Sequence, residues 1–481
     1  MAEPALTLLN PGPINVSARV REALATCPDL CHREPEYFEL QDEVRRLLVD
    51  VFGIGADYEA ALVSGSGTSG MEAMLASVVG TGVVVVDNGV YGDRLAQMAA
   101  AHRIPHRVVK CDWFHRPDED DLEGALADPA LDTLAIVHHE TTTGLINDLE
   151  EIAARARRHG KRLIVDSVSG LAGEPFDFRV IRPDAVCSTA NKCIHGLPGV
   201  SFVFVRKGTP LERRSLYLDL GLALAKQRAS DTPFTPAIQV MAAFAEALRE
   251  LGEETIAARQ ATYKARSDTI RSTLETLGLE LMLPPALRSR TITSARLPAG
   301  LEYPTLHDRM KERGFVIYAG QGKLSEVAFR IANMGVWPEG RLDDLVAALR
   351  EVLACRPSGS PRASADASAT IDPRHCSRWA GARCCPGMSR TWRRPASRCG
   401  SSRASTPSVW SPPCRRGPRS CTTPSSAAAA CCRWHAGSRA WMRTRSSWTP
   451  TCSMTPRSCP TSPHSIAASP STRAPIRATR R

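Results

Sequence analysis

Residues 162–205, RLIVDSVSGLAGEPFDFRVIRPDAVCSTANKCIHGLPGVSFVFV, decide the fold. Three short apolar runs stand out: RLIVD (Arg162–Asp166), AVCST (Ala185–Thr189) and SFVFV (Ser201–Val205). Each has the length and β-branched content of a buried strand. Further upstream, VVVVD (Val83–Asp87), LAIVH (Leu134–His138) and Ala61–Val63 repeat the signal. Between them lie amphipathic helical patterns such as YGDRLAQMAAAH, LEEIAARARRHG and the segment opening at Gly67. Strand and helix in alternation predict an α/β fold with a mostly parallel sheet covered by helices on both faces.

The pattern changes near Pro233–Pro236. A long helical stretch from about Ala237 to Leu277 leads into TITSARL, a helix around Leu306–Arg313, the strands GFVIY and VAFRI, and a last helix ending near Ala354. This predicts a small α+β domain at residues 236–355, after a large domain at 56–235. Residues 1–55 start as an extended loop, become a helix at Tyr37–Phe52, and are expected to pack back on the small domain.

From residue 356 to 481 there is no Leu, Phe, Tyr, Asn, Gln, Glu or Lys, and 22 Arg face only Asp366 and Asp372. The chain's +11 is therefore the sum of a tail at +20 and a body at −9. Without Leu or Phe the tail cannot offset its ordering entropy with a core, so it reads as a disordered or out-of-frame segment without assigned function. Non-specific RNA binding by its Arg and Trp residues is the weaker alternative. Nucleic acid is not an expected partner of the body. The body's six cysteines show no disulfide or zinc spacing. No apolar run is long enough to span a bilayer, and MAEPALTLLNPGP lacks the regions of a secretory leader. A cytoplasmic protein off the membrane is expected.

Several residues at strand ends carry chemistry. Lys192 follows a buried strand in a loop of small residues. Burial would lower its pKa and make it a nucleophilic amine, although an ordinary loop lysine has the same local sequence. Asp166 ends RLIVD, where ligands of α/β sheets bind, and could otherwise be a turn residue. Ser64-Gly65-Ser66-Gly67-Thr68 joins a strand to a helix, offering free N–H groups and hydroxyls to a phosphate; it is not a Walker loop. Tyr91 in NGVYG could stack on a flat cofactor. Thr141-Thr142-Thr143 places hydroxyls at another strand end. His138 and His139 face opposite sides of a strand, which makes them poor joint metal ligands, and no metal is expected. Arg330, among apolar residues in VAFRIANMG, suits a carboxylate or a structural ion pair.

LLNPGP, VSGSGTSGMEA, DNGVYGDR, HHETTTG, LIVDSVSG, STANKCIHGLPG and GFVIY…FRIANMG, taken in order, resemble the class V, fold-type-I aminotransferases over nearly all of residues 6–354. Within that family they are most similar to the 2-aminoethylphosphonate:pyruvate branch; the alanine–glyoxylate and serine–pyruvate enzymes share the plan. The resemblance implies pyridoxal 5'-phosphate, with Lys192 as the lysine that carries it and shuttles the proton. Asp166 would pair with the pyridine nitrogen. Ser66, Gly67 and Thr68 would hold the phosphate, Tyr91 would stack, and Thr141 and Thr143 would bond cofactor or substrate. Thr235 would reach the phosphate of a neighbouring subunit in a homodimer, and Arg330 would grip the carboxylate of pyruvate or alanine. After GFVIY the family usually has Pro, where this chain has Ala319-Gly320-Gln321-Gly322-Lys323, so the amino donor is the least secure implication.

A chain ended after Cys355 is expected to melt at the same temperature as the full chain and to keep its activity. A lost thermal transition or lost activity on truncation would overturn the reading of the tail.

Overall fold

The computed structural model describes residues 6–354, and the tail expectation lies outside the described residues. Seven strands form the central sheet: β1 (Tyr58–Gly65), β2 (Val83–Asp87), β3 (His106–Lys110), β4 (Thr133–Val137), β5 (Arg162–Asp166), β6 (Ala185–Thr189) and β7 (Gly199–Arg206). Their spatial order is β1-β7-β6-β5-β4-β2-β3. Only β7 runs against its neighbours. The reason lies in the β6–β7 connection, which is too short for the helical crossover that a parallel return requires. That connection contains Lys192. Strand β3, HRVVK, escapes the sequence pattern because it is an edge strand whose side chains are mostly exposed.

Alternate strand residues feed two separate cores, as the period of two requires. Val84, Val86, Leu134, Ile136, Leu163 and Val165 enter one cluster. Val83, Val85, Ala135, Val137 and Ile164 enter the other. Helices α1 (Ala18–Thr26) and α2 (Pro35–Val51) belong to the first face; α3 (Gly67–Val78) and α4 (Val90–Ala101) cover the second.

The long helical stretch expected from Ala237 is two helices, α5 (Ile238–Glu254) and α6 (Ile256–Thr276). They break at Thr255, whose φ of 73° lies in the left-handed region and whose hydroxyl accepts from the N–H of Ala258. A three-stranded antiparallel sheet (Ile292–Arg296, Ala328–Ala332, Tyr318–Ala319) follows, with its own core. GFVIY divides: Phe315–Val316 pairs in parallel with Thr7–Leu8, and Tyr318–Ala319 pairs with the Ala328–Ala332 strand. The N-terminal strand therefore pairs with the smaller unit in a two-stranded sheet of its own, while α1 and α2 pack on α5. No described helix is long and apolar enough to cross a membrane.

Candidate active site

The carboxyl ends of β1, β2, β4, β5 and β6 converge on a cavity of about 170 Å³. Its wall brings together Ser66, Gly67, Thr68, Tyr91, Thr141, Asp166 and Lys192, with Arg94, His139, Val168 and Asn191 beside them. A larger cleft, of about 660 Å³, lies among Phe52, Tyr58, Arg116, Glu174 and Phe178. It brings no lysine to a carboxylate, so the smaller cavity is the candidate chemical centre.

Lys192 makes no ion pair among the described residues, not even with Asp166. Burial, with Arg330 and Arg94 adding their repulsion, pushes its ammonium down to about 8 against the pull of Asp166. One wall of its enclosure comes from the distant N-terminal loop. A Cβ on Gly12 would stand 2.8 Å from both Cδ and Nζ of Lys192, and Gly12 has φ +141°. Only glycine lets that loop lie against the lysine.

Asp166 is 2% exposed. Its Oδ1 accepts from the N–H of Val168 at 2.9 Å, and its Oδ2 has no hydrogen-bond partner among the described residues. Burial is the largest influence and pushes the carboxyl up to about 6; the Val168 N–H and the charges of Arg94 and Lys192 oppose it. Such a carboxylate is a half-finished ion pair, suited to a cationic group delivered by a ligand.

Ser66 is the N-cap of α3 but its side chain caps no N–H; the Ser69 N–H donates to the Ser66 carbonyl at 2.9 Å, and the N–H groups of Gly67 and Thr68 stay open to an anion. A Cβ on Gly67 would meet Val168 at 2.8 Å, so glycine brings the helix start close to Val168. Arg94 donates to the Thr68 hydroxyl at 3.2 Å and lies over the Tyr91 ring at 4.6 Å. Two buried polar atoms of the wall have no hydrogen-bond partner, Thr141 Oγ1 and His139 Nε2. His139 points its Nδ1 at the Ser169 carbonyl, 3.3 Å away. Burial pushes the ring down to about 3, so it is neutral and its Nε2 is an acceptor.

Arg330 stands outside this wall. It is 1% exposed and pairs with no carboxylate among the described residues. Instead its Nε donates to the Ala319 carbonyl at 2.9 Å and its Nη1 to the Thr141 carbonyl at 2.6 Å and Gln321 Oε1 at 3.3 Å. Carbonyls orient the guanidinium without neutralising it, which leaves a charge for an anionic ligand. The structural ion pair weighed from the sequence is absent. Thr143 is buried away from the cavity, its hydroxyl donating to the Trp113 carbonyl at 3.2 Å. Thr235 is exposed, 3.5 Å from His32, and is not on the cavity wall of its own chain.

Sequence reasoning passed over Gly12, Arg94 and His139. The first two stand in quoted motifs, LLNPGP and DNGVYGDR, which gave their presence and not their direction. His139 was weighed as a metal ligand, and it is both buried and part of the wall.

The chain matches the family model "Aminotransferase class-V" over residues 25–334 and belongs to that family. It is 38% identical over 360 residues to the 2-aminoethylphosphonate–pyruvate transaminase of Vibrio vulnificus, covering 72% of this chain and 97% of that one. It is 35% identical over 359 residues to the protein of the same name from Salmonella paratyphi B, with the same coverage. Among solved structures it resembles the aspartate aminotransferase of subgroup IV from Thermus thermophilus (27% identity, TM-score 0.67, 72% of this chain and 99% of that one). It also resembles the alanine–glyoxylate aminotransferase from Nostoc sp. (29% identity, TM-score 0.67, 73% and 96%).

Replacing Asp166 tests the half-finished pair without any cofactor. Its folded-state pKa is raised from the usual 3.8 to about 6, so the charge costs stability once the pH exceeds both values. The apoprotein of Asp166→Asn should therefore be more stable than wild type above about pH 7, by about 2–3 kcal/mol. The difference should fade towards zero below about pH 4, where wild type is protonated in both states. Urea melts of the two apoproteins across this range check it; a variant less stable at high pH would overturn it.

Proposed function

We propose that the chain is a pyridoxal-phosphate enzyme that moves the amino group of 2-aminoethylphosphonate to pyruvate, giving phosphonoacetaldehyde and alanine. The observation that carries the reading is the pairing of an uncompensated Lys192 with a buried, half-partnered Asp166 in one cavity. The residues present fit the cofactor. The open start of α3 suits its phosphate, Tyr91 its ring, Asp166 Oδ2 its pyridine nitrogen, and the partnerless Thr141 Oγ1 its polar edge. When bound, pyridoxal phosphate supplies an electron sink for the carbon next to the amino nitrogen.

The chain's own residues do the rest. Ser66, Gly67 and Thr68 hold the phosphate through N–H groups and hydroxyls. Tyr91 covers one face of the ring site, and Val168 lies on the cavity wall near the start of α3. Asp166 keeps the pyridine nitrogen protonated. Lys192, with its pKa lowered to about 8, takes the proton from the carbon bearing nitrogen and returns it. Arg330 holds the carboxylate of pyruvate or alanine. Thr143 acts from outside the cavity wall, by holding the loop that carries Thr141. Thr235 reaches the phosphate site of a second subunit, which makes the working unit a cytoplasmic homodimer. The names of the relatives at 35–38% identity support the phosphonate donor. The likeness to the Nostoc enzyme keeps alanine or serine with glyoxylate as the second reading.

The test is a half-reaction. Protein loaded with pyridoxal phosphate receives 2-aminoethylphosphonate and no keto acid. Loss of the visible absorbance of the bound cofactor is expected, as it is with alanine acting in reverse, while serine and taurine stay silent. Bleaching by alanine or serine alone would move the function to the glyoxylate branch. Lys192→Ala should lose the borohydride-reducible yellow colour and slow turnover by about 100- to 10,000-fold. A variant that kept the reducible colour would sink the assignment of Lys192.

A further inference from the structure

Helix α4 carries Tyr91 and Arg94 into the cavity, and its N-cap is Gly89, which offers no side-chain oxygen to the first N–H groups. Those donors have no partner inside the helix. They are met from the loop after β4. The Thr142 hydroxyl accepts from the N–H of Val90 at 3.0 Å. Glu140 Oε2 accepts from the N–H of Tyr91 at 3.0 Å and of Gly92 at 3.3 Å. Glu140 Oε1 accepts from the N–H of Thr142 at 3.1 Å and from its hydroxyl at 2.6 Å. Glu140 is fully buried and forms no ion pair among the described residues. A Cβ on Gly89 would overlap its carboxylate, so glycine there admits the cap from outside.

We propose that Glu140 is a positioning residue, an anionic cap supplied by one strand end to the helix of another, which sets Tyr91 and Arg330 in their places about the reacting centre. Four donors converge on its two oxygens, two on each. An ionised carboxylate is an acceptor on both oxygens; a glutamine would turn an NH₂ towards one pair of donors. The negative charge also faces the positive end of the helix. The next residue, Thr141, is fixed by the same turn. Its carbonyl accepts from Arg330 Nη1 and its hydroxyl is the partnerless one in the cavity wall. One buried carboxylate thus ties together the stacking ring, a cofactor-facing hydroxyl and the substrate-gripping guanidinium. This assignment of roles rests on the function proposed above; the cap itself does not.

The cap is tested first on wild-type apoprotein by amide hydrogen exchange. The N–H groups of Val90, Tyr91 and Gly92 should be protected like the helix interior, although they lie in a first turn; free exchange there overturns the proposal. In Glu140→Gln the Tyr91 and Gly92 amides should lose protection. Its affinity for pyridoxal phosphate should fall by about tenfold, charged hydrogen bonds being worth that and more. The induced circular dichroism of the bound cofactor should shrink, and KM for pyruvate should rise more than kcat falls. A folded Glu140→Gln protein with cofactor affinity and dichroism within about twofold of wild type would overturn it. Should that variant fail to fold, Thr142→Val removes the Val90 bond and one Glu140 bond. It is expected to loosen cofactor binding by about threefold; unchanged affinity there would count against the cap. If wild type binds no pyridoxal phosphate at all, the function fails, while the exchange result still decides the cap.

Discussion

The short reversal between β6 and β7 is the constraint on which the site depends. A parallel sheet places its strand ends on one side and needs long crossovers to do so. The single antiparallel strand breaks that rule and leaves a tight loop, Ala190 to Pro198, at the binding edge. Lys192 is carried there, half-buried on the cavity wall. The N-terminal loop closes over it through the space left by Gly12. A lysine so held loses hydration and gains no counter-ion, so burial pushes its ammonium down to about 8.

Charge around the cavity is unbalanced by design of the packing. Lys192, Arg94 and Arg330 bring positive charge without an ion-pair partner among the described residues. Asp166 and Glu140 bring negative charge, each pushed up to about 6 by burial. Glu140 is answered by four hydrogen bonds and Asp166 by one N–H and a distant thiol. The surplus is cationic, and it is spread over distinct positions: beside Thr68, on the lysine, and behind Thr141. An anion at α3, a cationic ring nitrogen at Asp166 and an anionic substrate at Arg330 would complete the balance. These are the charges of pyridoxal phosphate and of a keto acid.

Contacts between the two sheets hold these positions in register. The Ser294 hydroxyl donates to the Thr143 carbonyl at 2.6 Å, and Arg330 to the Thr141 carbonyl. His195, in the Lys192 loop, accepts from the Gly335 N–H at 3.2 Å and meets the Tyr263 hydroxyl at 2.5 Å. Asn333 donates to the carbonyls of Tyr263 and Arg290, each at 2.9 Å. The lysine loop, the helix between the sheets and the arginine strand are therefore one hydrogen-bonded unit, so a shift of the smaller sheet would move Arg330 and the Lys192 loop together.

The sequence by itself determined where strands end and what stands there. Runs such as VVVVD and RLIVD hold three or four consecutive apolar residues and read as buried strands, which puts Asp166 at a strand's carboxyl end, where α/β sheets bind ligands. Lys192 and the hydroxyl-rich start of α3 stand at such ends too, but their local sequence fits an ordinary loop as well, and only the family resemblance gives them roles. Direction and distance were decided only by the tertiary structure. Nothing local tells β3 from a loop, or Thr255 from the middle of a helix. That Gly12 touches Lys192, that Glu140 caps the helix of Tyr91, and that Arg330 has carbonyls in place of a carboxylate are facts about residues tens to hundreds of positions apart. Local pattern fixes burial and periodicity; partners across such separations are chosen when the layers pack, because only then do buried donors and acceptors find what satisfies them.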